Sequence, residues 1–380
     1  MFSDTALAQR PKRSRQRRTL CQDPGSRRDL ATPGHLALRR AVGEALDFDQ
    51  LRDAGRRFRT IAGELAAGRV PAEAGAIVSG VADSFTVRAI ELSISELGAP
   101  PCAVTWIALG SHGRREATPG SDMDSALAWE DPDERGDVTS YMRSLGARVC
   151  SGLARCGFAA DKRGATAAEN LFVRPVSSWR RLIRESIEDP RSDKGLIVIS
   201  LLLDGRIVYD GGGASELRRE LLAASDRRGL LRLMLGLALN NRPALRLLHE
   251  FAVERSGEHR GRLDIKEGGL LPVTSIARYA SLAAGAIDAS STTERLRAAA
   301  AAGALDDGFA GTLGEAFELS QDVRLEHQAQ QIDGGLEPDD YVDPKALDPP
   351  RRTQLRDAFK AVRSIQKRLG RRLSGELAFA

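Results

Sequence analysis

The sequence is poor in the residues that mark several protein classes. Aromatic residues fill only 5% of its 380 positions, so the ring-studded grooves that stack single-stranded nucleic acid have little to be built from. The four cysteines, Cys21, Cys102, Cys150 and Cys156, are scattered, with no CxxC pair and no Cys/His ligand spacing. That excludes a zinc site and a disulfide framework. Long hydrophobic runs are missing too. The longest, residues 196–203, falls far short of the roughly 20 residues a membrane-spanning helix needs and reads as a buried core segment. The N-terminus has no apolar stretch of signal-peptide length, so a cytoplasmic protein is expected.

What is present is an ordinary globular composition, 42% hydrophobic and 28% charged, enough for two or three domains with real cores. The net charge of +4 is unevenly spread. Residues 1–40 hold ten Lys and Arg against three acids, which leaves 46 basic and 49 acidic groups in the remainder, a slightly acidic body. Such a body lacks the clustered cations that neutralise a phosphate backbone, so no specific nucleic-acid partner is expected. Residues 1–40 have too few large apolar groups to offset chain entropy and are expected to form a disordered basic tail.

Periodicity divides the rest into three parts. Over residues 41–100, Phe48, Leu51, Phe58, Ile61 and Leu65 form one apolar helical face. Gly68 and Pro71 break it, and a second helix follows through Ile77, Val81, Phe85, Ile90 and Ile94, giving a helical pair. Residues 101–225 read as a small mixed α/β domain, with strands over 103–109, 123–129 and 157–162 and helices over 135–155 and 179–187. After Asp226 strand signals disappear. Helices over 230–254, 273–286, 292–302, 313–332 and 351–369 make an all-α domain of residues 226–380, so the fold class is α+β.

The chemistry concentrates between the first two strands, in residues 110–124, GSHGRREATPGSDMD. Gly110 lets the backbone approach a ligand closely. The Ser111 hydroxyl and the free N–H groups of the turn can hold a phosphate. Asp122 and Asp124, two apart in extended chain, project from one face, and two such carboxylates call for a cation, Mg²⁺ being the natural one. Arg114 can clamp phosphate oxygens. Asp161 lies in the third strand candidate and Asp204 follows the buried apolar run, and as residues both read equally as functional groups or as plain solvated carboxylates. His112 reads as a turn residue with its ring in water. Ser320, Arg324, His327 and Gln331 form a polar stripe that either lines an aqueous cleft, Arg324 and His327 then touching acceptor or nucleotide, or is simply an exposed helix face.

These residues, Gly110-Ser111-His112-Gly113-Arg114-Arg115-Glu116 and Ser121-Asp122-Met123-Asp124, resemble the GSxGRxE…SDxD arrangement of the DNA polymerase beta-type nucleotidyltransferase superfamily. Within it the chain is similar to the nucleotidyltransferase family related to the N-terminal domain of protein-PII uridylyltransferase, over residues 45–370. That span includes the segment 263–276, LDIKEGGLLPVTSI, and the Arg324-Leu325-Glu326-His327-Gln328 helix. The resemblance implies a polymerase beta-like nucleotidyltransferase domain and a two-metal Mg²⁺ site on Asp122 and Asp124, with a third carboxylate sought in Asp161 or, alternatively, Asp204. It also implies transfer of a nucleoside monophosphate from an NTP to an acceptor, by likeness a regulatory protein, in signal transduction. The competing expectation is a catalytically weak nucleotide-sensing or protein-docking module. A homo-oligomer is left open.

Overall fold

The computed structural model describes residues 33–68, 71–130, 137–159, 161, 164–190, 195–211, 214–246 and 250–378. The basic segment up to residue 32 lies outside the described residues. Helix α1 (Pro33–Glu44) nevertheless starts inside the stretch expected to be disordered. Leu38 and Val42, one turn apart, bury themselves in the first core, a two-residue stripe hidden by the surrounding Arg, Gly and Pro.

Helices α2 (Phe48–Gly68) and α3 (Pro71–Leu97) form the expected helical pair. Then follow strand β1 (Val104–Ala108), the short turn α4 (Gly110–Gly113), strand β2 (Ser125–Trp129) and helix α5 (Val138–Arg155). Strand β3 (Val173–Pro175), helices α6 (Val176–Glu188) and α7 (Gly195–Leu203), strand β4 (Arg206–Tyr209) and helix α8 (Ala214–Leu222) complete this half. The sheet order is β3-β2-β1-β4, with β1 antiparallel to both β2 and β4, and β2 parallel to β3. The mixed sheet flanked by helices is as expected, but the third strand lies elsewhere and a fourth is added. Residues 157–159 and 161 form no strand, because Gly157 at φ +93° turns the chain at the end of α5. The third and fourth strands are β3 and β4, each too short to show an alternating pattern.

Both faces of the sheet are covered, which is why β1 and β2 are apolar throughout. Val104, Trp106, Leu127 and Trp129 face the core shared with α1 to α3 and α5. Ile107, Ala126 and Ala128 face the core of α6 and α7. The small alanines leave room for Trp179, whose indole N–H donates to the Leu127 carbonyl at 3.1 Å.

The C-terminal half runs through α9 (Arg228–Asn240), strand β5 (Leu263–Asp264), a π-helical turn at Lys266–Leu270, α10 (Leu271–Ala283), α11 (Thr292–Ala301), α12 (Asp307–Asp333), strand β6 (Tyr341–Val342) and α13 (Pro349–Ala378). It is helical but not wholly so, since β5 and β6 pair as a two-residue antiparallel ladder. The helix expected to reach residue 254 stops at Asn240, just before Pro243, whose ring cannot continue a helical ladder. Among the described residues no helix is long and apolar enough to cross a membrane.

Candidate functional site

The site is built where β1 ends. Gly110 has φ +55°, a left-handed conformation that bends the chain into α4. A Cβ at Gly110 would lie 2.0 Å from Asp124 Oδ2, so the glycine is required both by its backbone and by the carboxylate packed on it. The Leu109 N–H donates to the Asp124 carbonyl at 3.0 Å, which holds the turn and the DxD segment side by side. Asp122 and Asp124 lie in the extended lead into β2 rather than in the strand itself. Ser111 is half-buried in the turn beside them.

Asp161 comes to this place through the backbone. The Met123 N–H donates to the Ala159 carbonyl at 2.8 Å and the Ser125 N–H to the Ala165 carbonyl at 2.9 Å. The chain around Asp161 therefore runs along the Asp122–Asp124 segment, and the Asp161 Oδ2 accepts from the Ala165 N–H at 2.7 Å. Burial, then the charge of Asp161, push the Asp124 carboxyl up to about 7, against the pull of Lys266, with Asp122 adding to the rise. Three carboxylates thus crowd one another. They are not converged into a ligand shell: among the described residues no group of three or more acid, His or Cys side chains is spaced to hold a metal ion. The Lys266 Nζ bonds to Asp122 Oδ2 at 3.2 Å instead.

Asp204, the alternative third acid, is elsewhere. Its side chain is fully buried and meets three guanidiniums: Arg114, Arg278 (Nη2 at 2.6 Å) and Arg295 (Nη1 at 2.5 Å). Burial alone would raise its pKa, but the three arginines hold it well below the usual carboxylate range. Arg114 is turned away from the phosphate turn and into this network. It donates through Nε to Glu116 Oε2 at 2.7 Å and through Nη1 to Asp204. Its Nε and Nη1 are both engaged, which is not the open fork a phosphate clamp presents.

His112 is not in water. It is 3% exposed, its Nδ1 finds no hydrogen-bond partner among the described residues, and burial together with the positive Arg206 push its pKa down to about 3. The ring is neutral at physiological pH. The polar stripe of α12 is covered as well, with Ser320, Arg324 and Gln331 buried and His327 half-buried. Arg324 pairs with Asp340 at 2.6 Å, His327 Nε2 with Asp339 at 2.9 Å, and Gln331 Oε1 accepts from the Asp339 N–H. The segment around β6 covers the stripe, so it faces protein rather than an aqueous cleft.

Lys266, Arg278 and Arg295 were missed by sequence reasoning. Lys266 lies 144 residues from its partner Asp122 and had no local signal beyond the surrounding KEGG segment.

A family model described as "Putative nucleotidyltransferase DUF294" matches residues 56–193, and one described as "Putative nucleotidyltransferase substrate binding domain" matches residues 228–373. No curated protein gives a significant match to the chain.

Proposed function

The chain belongs to the nucleotidyltransferase family whose two models it matches, and from that premise we propose that it is a nucleotide-sensing and protein-docking module in which triphosphate binding outweighs transfer. The observation that carries this reading is the Lys266–Asp122 ion pair at 3.2 Å. Two-metal transfer gives both carboxylates of the DxD pair over to metal, and here an ammonium group from the C-terminal half shares Asp122 and partly neutralises it, which leaves charge for one cation between Asp122 and Asp124 rather than two. In this reading Gly110 and Ser111 receive the β and γ phosphates of a nucleoside triphosphate, and Lys266 supplies positive charge beside them.

The donor set suits Mg²⁺, since it is all oxygen and includes a carboxylate, Asp124, whose crowding by Asp161 and Asp122 a divalent cation would relieve. When bound on Asp122 and Asp124, Mg²⁺ would neutralise phosphate charge. The chain's own part is to hold the phosphates at the turn and to deliver deprotonated carboxylates, with Asp161 rather than Asp204 as the third.

A second reading is favoured by that same crowding of Asp122, Asp124 and Asp161. It is Mg²⁺-dependent transfer of a nucleoside monophosphate from an NTP to an acceptor, a regulatory protein in signal transduction by resemblance, with pyrophosphate leaving. Incubating the full chain with Mg²⁺ and each labelled triphosphate, with and without cell extract, separates the two. Sensing gives Mg²⁺-dependent retention of intact triphosphate. Label transfer that is lost in Asp122→Asn/Asp124→Asn gives the transferase.

A further inference from the structure

The loop that carries Asp122 is tied to its own half at Ala117, Met123 and Asp124, and to the other half of the molecule at Glu116 and Gly120. Glu116 accepts from the Thr292 N–H and, at 3.1 Å, from Thr292 Oγ1, at the N-terminus of α11. The Glu116 carbonyl accepts from Gln321 Nε2 at 2.8 Å, and the Gly120 N–H donates to Gln328 Oε1 at 3.0 Å, both from α12. Gly120 is packed so closely that a Cβ there would lie 2.8 Å from the Pro338 carbonyl. Every one of these partners lies in the C-terminal half, and Lys266 continues the pattern at Asp122 itself.

Gln321 is the telling residue. It is 3% exposed, and its Oε1 has no hydrogen-bond partner among the described residues. A buried orphan acceptor carries a desolvation cost that an apolar side chain of similar size would avoid. What the glutamine adds over such a side chain is its donor to the Glu116 carbonyl. Gln328, fully buried, likewise spends its carboxamide on the loop and on the Asp339–Asp340 corner, with Nε2 to Asp340 Oδ1 at 2.9 Å.

We propose that Gln321 and Gln328 are positioning residues for Asp122, so that the C-terminal half sets the geometry of the metal-bearing loop. This rests on the reading of Asp122 and Asp124 as the cation seat. The consequence for function is direct. Whatever docks on the C-terminal half and shifts α12 alters the loop without touching the nucleotide, and the two family halves act as one site.

The test uses the full chain as wild type, Gln321→Met and Gln328→Leu, with Gln366→Met as a control. Gln366 makes the same kind of buried bonds, to the Ala238 and Asn241 carbonyls at 2.8 and 2.7 Å at the end of α9 rather than to the loop. Amide hydrogen exchange of peptides spanning residues 114–125 and the affinity for Mn²⁺ are read together with the melting temperature. The expected result is roughly five- to tenfold faster exchange in the loop and a similar loss of Mn²⁺ affinity in both α12 variants, the scale of one net hydrogen bond. Gln366→Met should change neither, and Gln321→Met should melt only slightly below wild type, because one orphan acceptor is removed as the Glu116 carbonyl becomes another and the net loss is a single hydrogen bond. Loop exchange equal to wild type in Gln321→Met and Gln328→Leu would overturn the proposal, as would an equal change in Gln366→Met. If the exchange responds as expected while the wild type binds no Mn²⁺, the positioning stands and the cation seat falls.

Discussion

At the scale of single residues, Gly110 and Asp124 define the site together. Replacing Gly110 with Ala forces a left-handed φ of +55° on a residue with a Cβ and drives that Cβ into the Asp124 carboxylate. The cost should be about 1–3 kcal/mol of stability with loss of triphosphate binding, read by thermal melting and calorimetry. Asp124 makes a pH prediction. Its carboxyl is raised in the fold, so its contribution favours the folded state below the unfolded value near 4 and is lost as pH rises through about 7. Stability of the metal-free chain should therefore fall between about pH 4 and 7, by at most ~1.4 kcal/mol per pH unit from this group, and Asp124→Asn should flatten that slope in denaturant titrations. The motif residues were legible because spacing and residue type carry them. The reassignment of Arg114 was not, because an arginine after a phosphate turn looks the same whether it faces a ligand or a buried Asp204.

At the scale of elements, the structure depends on glycines that let segments approach each other. A Cβ on Gly55 of α2 would lie 2.2 Å from the Cys156 carbonyl at the end of α5. Gly55→Ala should cost about 1–3 kcal/mol through overpacking, measured as a lower denaturation midpoint with an unchanged slope. Helices α2, α3 and α5 could be read from their apolar stripes, and β1 and β2 from their unbroken apolar runs. The short strands β3 and β4 could not. A strand of three or four residues has too few positions to display a period, and its identity is set by the neighbour it pairs with, Leu127 for Val173 and Ala108 for Arg206. The α12 stripe shows the converse. Its 3.6-residue spacing was visible, but whether Arg324 and His327 met water or the Asp339–Asp340 corner depended on a segment the spacing does not mention.

At the scale of the whole molecule, the two halves are joined through buried charge. Asp204 of the first half takes Arg278 from α10 and Arg295 from α11, and Glu116 caps the start of α11. Removing one partner from such a network costs about 3–5 kcal/mol, because the remaining charges are left unpaired in the interior. The full chain should therefore unfold in a single cooperative transition, with fluorescence and far-ultraviolet circular dichroism coincident. Arg295→Met should lower the melting temperature of both halves together. Two separated transitions would contradict this. Sequence composition suggested separable domains at residue 225, since it sees the change from mixed to helical patterning but not the side chains that cross the boundary.

In the proposed function Asp122 and Asp124 seat a metal-bound triphosphate that the chain holds rather than consumes. Calorimetric titration of nucleoside triphosphates into the full chain with Mg²⁺, followed by assay of pyrophosphate in the same cell, tests it most directly. The expected result is saturable, Mg²⁺-dependent binding with intact nucleotide recovered, and no binding to Asp122→Asn/Asp124→Asn. Binding that survives the double substitution, or pyrophosphate released with each bound nucleotide, would contradict it.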